Sequence, residues 1–190
     1  MMITTKIFLL LLVLAPLRMA AAGKNCPGVP WLGAVAACGK ASGTKLIYNL
    51  CIRTMRDYEV DMSPSHKEAV TAYVIIALEA ATNSYQETEV AASNQIDNTS
   101  LSHQVRDAFQ ACVDDDYLPA EATLDHIDDV LRSGCNFAGL ADAYMSGMMS
   151  LERCRDRLLS LRYSASVYSM ILVDRQRVSL ALSLTKLLGI

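Results

Sequence analysis

Two cysteines, Cys112 and Cys154, stand 42 positions apart, and a reversal signal, Ser133-Gly134, sits at their midpoint. Apolar residues recur at helical spacing on both sides of it: Leu101, Val105, Ala108, Leu124, Ile127 and Leu131 before the turn, Leu140, Tyr144, Gly147, Leu151 and Leu158 after it. In an antiparallel helix pair, residues equidistant from the turn face each other, and both cysteines fall on the apolar stripes. The spacing predicts a helical hairpin stapled by Cys112–Cys154. A loop of that length gives the bridge about 4 kcal/mol in the chain-entropy picture.

A disulfide needs an oxidising compartment, and the chain opens with the layout of a secretory signal peptide: Lys6, an apolar run from Ile7 to Leu14, then Ala20 to Ala22. That run is far short of the roughly 20 residues that span a bilayer, so residues 1–22 are expected to be cleaved rather than to anchor. All six cysteines lie beyond it, and an even count in an exported chain points to disulfides. Cleavage leaves 168 residues, enough for one domain with a real core. It also removes Lys6 and Arg18, leaving 15 basic against 20 acidic residues, a net charge of −5. That balance offers nucleic acid no basic patch, and no second apolar run offers a membrane span. Asn98-Thr99-Ser100 makes Asn98 the candidate glycosylation acceptor of an exported chain.

The rest of the chain extends the helical pattern. Ser65-His66-Lys67-Glu68 reads as a capping box opening a helix with Val70, Tyr73, Val74, Ala77, Ala80 and Ala81 on one face, running to about Ser93. Pro119 interrupts the helix that follows and predicts a kink near Tyr117. A last helix is expected from about Ser164 to Leu188, its final turns polar only at Ser179, Ser183 and Lys186. Glycine and proline concentrate before residue 45, where two short helices flank a Gly39 to Gly43 turn, the first started by Pro30-Trp31. A Cys38–Cys51 bridge would close that small hairpin and contribute about 3 kcal/mol. The fold class is therefore all-α: an N-terminal helical hairpin over residues 26–62, then an up-and-down four-helix bundle over 63–190.

Catalytic and metal constellations are missing. A di-iron bundle needs two Glu-x-x-His pairs, and the sequence has none. His66, His103 and His126 do not pair with cysteines at zinc-ligand intervals, and no C-x-x-C occurs. The runs Asp114-Asp115-Asp116 and Asp128-Asp129 read as solvated helix faces, lacking the glycine and spaced ligands of a calcium loop. His126 beside Asp125 is no dyad, since helix neighbours in sequence point about 100° apart. No catalytic residue, metal or cofactor is expected; the chain reads as a binding protein.

The pattern resembles the plant pectin methylesterase inhibitor and invertase inhibitor family. The residues that carry it are Cys38 and Cys51, with "YNLCIRTM" around the second, Cys112 in "FQACV", Cys154 in "LERCRDRL", and the closing "SLALSLTKLLGI", similar to the end of pollen-type invertase inhibitors. The resemblance implies an exported protein that covers the substrate cleft of a plant pectin methylesterase or acid invertase in a 1:1 complex, without cofactor. Its location would be the apoplast or cell wall, or else the vacuole. Tobacco-type invertase inhibitors carry Pro-Lys-Phe at the start of the third bundle helix, where this chain has Cys135-Asn136-Phe137. Phe137 is thus the contact residue the resemblance implies, the alternative being a packing staple at the helix start.

Cys26 and Cys135 remain. Up-and-down order puts the turn at Cys135 beside the end where the hairpin joins the bundle, so a Cys26–Cys135 bridge is expected, with two free or intermolecular thiols as the alternative. The competing functional class is an inert secreted bundle, storage or structural, or a small-ligand carrier. A lipid-transfer carrier is disfavoured because its adjacent Cys-Cys pair is absent.

Overall fold

The computed structural model describes residues 26–161 and 166–190. The signal peptide expected over 1–22 and the helix start expected at Ser164 lie outside them. In chain order come strand β1 (Trp31–Leu32), helices α1 (Ala34–Ala41) and α2 (Lys45–Asp57), strand β2 (Glu68–Ala69), and helices α3 (Val70–Ile96) and α4 (His103–Ala111). A π-helical turn (Cys112–Tyr117), α5 (Leu118–Ser133), α6 (Leu140–Ser160), α7 (Ser166–Thr185) and a 3₁₀ turn (Lys186–Leu188) complete the chain. The architecture is all-α and disulfide-stapled: α3, the continuous α4–π–α5 rod, α6 and α7 form the bundle, preceded by the α1–α2 hairpin.

The bundle is built around α3 and α7, its most extensive helix pair. Every residue from Val70 to Leu78 is buried, not just the stripe the sequence indicated, because α1 and α2 cover the side of α3 that the bundle leaves open. A helix apolar on all sides is stable only when enclosed this way. The hairpin also reaches α7, whose Leu180, Ala181, Leu182 and Leu184 are all buried. On α6 the buried apolar positions are Leu140, Tyr144, Gly147, Leu151, Cys154 and Leu158, one helical stripe.

The start of α3 corrects the capping-box reading. Its N-cap is Ala69, with no side-chain cap. Glu68 and Ala69 instead pair antiparallel with Leu32 and Trp31, and the Val70 amide donates to the Pro30 carbonyl at 3.1 Å. The Glu68 carboxylate meets His66 Nε2 at 2.8 Å. Extended pairing with a distant segment thus satisfies the backbone that a local cap would have served. The same pairing delays α1, which starts at Ala34 and not at Pro30-Trp31. Gly33 permits the contact, since a Cβ there would lie 3.2 Å from the His66 carbonyl oxygen. The Tyr73 hydroxyl donates to the Leu32 carbonyl at 2.9 Å and ties the ladder to α3.

At Pro119 the chain does not simply kink. The ring cannot donate to residue 115 and would clash with its carbonyl in a regular helix. The chain widens ahead of it, and the Leu118 amide bonds to the Val113 carbonyl five residues back. Six residues of π-helix absorb the defect.

Three disulfides cross-link these elements. Cys38–Cys51 closes the α1–α2 hairpin with Cα atoms 5.6 Å apart, and Cys112–Cys154 joins the π turn to α6 at 4.8 Å. Cys26–Cys135, at 5.3 Å, ties the segment before β1 to the α5–α6 turn across 109 residues. Replacing both Cys26 and Cys135 with serine is expected to lower unfolding free energy by about 2–5 kcal/mol, the range for a native long-loop disulfide. Urea denaturation measures it; an unchanged midpoint would mean that packing alone holds the N-terminal segment.

Candidate functional site

Two buried aspartates stand out in the bundle, and both involve the π turn. Asp174 of α7 is fully buried. Ser84 Oγ of α3 donates to its Oδ1, and Tyr117 Oη donates to Oδ2 at 2.6 Å. Tyr85 stacks edge-on against Tyr117 with ring centroids 5.5 Å apart. Its hydroxyl is buried without a hydrogen-bond partner among the described residues. Arg177, one turn along α7, donates to the Ala80 carbonyl at 2.8 Å. Burial pushes the Asp174 carboxyl from 3.8 up to about 6, against the lowering influence of Ser84, Tyr117, Thr88 and Arg177. Burial likewise raises the Tyr85 and Tyr117 hydroxyls, and the Asp174 charge adds to it.

Asp116 corrects the reading of Asp114-Asp115-Asp116 as one solvated face. Asp114 and Asp115 are exposed, but Asp116 is fully buried beside the Cys112–Cys154 disulfide. Arg153 Nε reaches its Oδ1 at 3.0 Å and Arg157 Nη2 its Oδ2 at 3.2 Å, both from α6. Cys112, Asp116 and Cys154 bring their ligand atoms within 4.8 Å of one another, a spacing a metal could use. Here the sulfurs are bonded to each other and the carboxylate is held by two guanidiniums, so the cluster works as a clamp.

The remaining candidates lie nearer the surface. Asn98, in the link between α3 and α4, accepts hydrogen bonds from the Ser100 amide at 3.1 Å and the Ser100 hydroxyl at 2.7 Å. Asp125 and His126 are both exposed on α5. Asp128 pairs with Arg132 Nε at 2.6 Å. Phe137 is only 7% exposed and belongs to the core. That burial fits the alternative, a packing staple at the start of α6, and leaves little of the ring free to insert into a cleft.

What the surface does present is the outer side of α5 and α6. Leu118, Met145 and Met149 are 48%, 49% and 59% exposed. The helices pack closely behind them, where a Cβ on Gly147 would lie 3.9 Å from Thr123 Cγ2. Asp114, Asp115, Asp125 and Asp129 on the π turn and α5, and Asp142 and Asp156 on α6, are exposed as well. Along α5, after burial, Glu121, Asp128 and Asp129 all push the Asp125 carboxyl upward. These two helices thus carry both exposed apolar and exposed acidic side chains.

The signal for both buried aspartates was in the sequence. Asp174 continues the stripe Val167, Ile171, Val178, Ala181, Thr185, all of which are buried. Asp116 follows Cys112 by four. A charged residue on an apolar stripe needs a partner, and Tyr117 and Arg153 are those partners.

A bundle of this shape, stapled and carrying a preceding hairpin, belongs to a known structural class. The fold is shared with solved pectin methylesterase inhibitors from Arabidopsis. A mutant form A of one superposes with a TM-score of 0.64 at 17% identity, covering 81% of this chain and 96% of that chain. A second solved structure, of a pectin methylesterase inhibitor from Arabidopsis thaliana, gives 0.58 at 18% identity, covering 80% and 93%. No family model matches the chain. No curated protein matches it either. Among the described residues no helix is long and apolar enough to cross a membrane.

Asp116→Ala is expected to destabilise the protein by about 1–3 kcal/mol, the range for losing charge-assisted bonds to a buried group when the partners can still reach water. Arg153 and Arg157 can do so, with side chains 54% and 36% exposed. Chemical denaturation checks it; a loss below about 0.5 kcal/mol would put the clamp in the class of surface ion pairs.

Proposed function

We propose that this chain is an exported protein inhibitor of a plant cell-wall carbohydrate-modifying enzyme, and that it acts by laying the bundle over the substrate cleft in a 1:1 complex. Pectin methylesterase is the first target and acid invertase the second. The carrying observation is the fold shared over 96% of a pectin methylesterase inhibitor. The burial of Phe137 weighs in the same direction, since the residue matching the cleft-entering phenylalanine of invertase inhibitors is packed inside. Three disulfides fit an oxidising destination such as the apoplast.

The α5–α6 outer face is the contact surface in this reading. Its exposed apolar side chains would supply burial, and its exposed carboxylates would select a cleft with a basic rim and speed encounter. A bundle pinned by disulfides loses little conformational entropy on docking, so more of the contact energy becomes affinity. The protein needs no chemistry of its own; occupancy of the cleft is the mechanism.

Purified oxidised protein titrated into each enzyme is expected to abolish pectin methylesterase activity at equimolar ratio. Met145→Ala with Met149→Ala should weaken inhibition by about tenfold or more, the loss of one modest hot spot. Added salt should also weaken it, through screening of the exposed carboxylates. Full activity of both enzymes at molar excess of inhibitor would sink the reading and favour an inert bundle. Inhibition untouched by the methionine changes would move the contact surface elsewhere.

A further inference from the structure

We propose that the Asp174–Ser84–Tyr117 junction is a proton-operated lock that holds the π turn and the start of α5 most tightly in acid and loosens as pH rises. The geometry carries the argument. Asp174 is sealed inside the bundle, and its two oxygens are met by hydroxyls of Ser84 and Tyr117. Arg177, the cation that influences it, spends a donor on the Ala80 carbonyl. An ionised carboxylate here keeps its hydrogen bonds but bears its desolvation without a paired cation.

Protonation removes that cost and creates a new donor. Acceptors are at hand in the lone pairs of the Ser84 and Tyr117 hydroxyls, and the buried Tyr85 hydroxyl has no partner among the described residues. The titratable and charged groups facing Asp174 are Tyr85 from α3, Tyr117 from the π turn and Arg177 from α7. Burial keeps both tyrosines neutral well above physiological pH, and a guanidinium stays charged. Asp174 is therefore the group in the junction that changes charge in the acidic range.

The direction follows from linkage. The folded carboxyl titrates at about 6 against an ordinary 3.8, so the folded state binds the proton more tightly than the unfolded chain. Its stabilising contribution is complete below the unfolded value and is lost as pH rises through about 6. A shift of that size corresponds to a roughly 50-fold fall in the folding constant between pH 4 and 7. Glu89, Asp125 and His66 are raised as well and drift the same way, His66 chiefly through its contact with Glu68, whereas Asp61 is lowered and drifts the other way. Only a comparison with a variant at Asp174 isolates the junction. Tyr117 ends the π turn, and the next amide, Leu118, is the one bonded back to Val113, so that amide reports loosening locally.

The test is chemical denaturation of the intact oxidised protein and of Asp174→Asn from pH 4 to 8, with the carbon resonance of the Asp174 carboxyl followed in the unaltered protein. The expected result is a roughly 50-fold fall in the folding constant of the unaltered protein relative to the variant between pH 4 and 7. The carboxyl should titrate near pH 6, and exchange of the Leu118 amide, corrected for its intrinsic pH dependence, should quicken over the same range. Parallel stability curves, or a carboxyl titrating near its ordinary value, would overturn the proposal. If the variant does not fold, the carboxyl titration decides alone.

Discussion

The covalent bond between Cys112 and Cys154 sets the register on which the rest of the bundle depends. With Cα atoms 4.8 Å apart, it fixes the level at which the α4–π–α5 rod lies against α6. Every neighbouring contact follows from that level. Asp116 meets Arg153, and Ala120 and Thr123 meet Gly147. A slip of one helical turn would bring all of these out of reach at once. The bond also anchors the π turn, so the irregularity forced by Pro119 is held in one geometry.

That turn then works as a hub. Consecutive residues at its end point to different helices, Asp116 to the guanidiniums of α6 and Tyr117 to the carboxylate on α7. An apolar pair at these positions would pack without specifying which neighbour belongs where. Buried polar partners are costly when mismatched, and this penalty favours one arrangement of four similar helices over its alternatives.

The sequence made the periodic parts of the architecture legible and left the exceptions hidden. The α6 stripe, the closing turns of α7 and the helical hairpin all follow from spacing of three and four. The capping box at Ser65 misled because its Glu68 has a stronger claim on it. The β1–β2 ladder joins residues far apart in the chain, and nothing local to Trp31 or Glu68 signals their pairing. Pro119 announced a defect, but whether a chain kinks or widens depends on what holds its flanks. Phe137 shows the same limit at the candidate site, since an apolar residue after a turn can serve an interface or a core and only the packing around it decides. The exposure of Leu118, Met145 and Met149 was missed because an apolar residue reads as core until the packing shows which side of its helix is covered.

The proposed function asks the helical bundle to inhibit by covering a cleft, with no chemistry of its own. Calorimetric titration into pectin methylesterase, with the enzyme's cleft free and then filled by a saturating pectin oligosaccharide, tests this most directly. The account predicts one inhibitor bound per enzyme and a binding signal abolished by the oligosaccharide. Equal affinity with the cleft filled would contradict it.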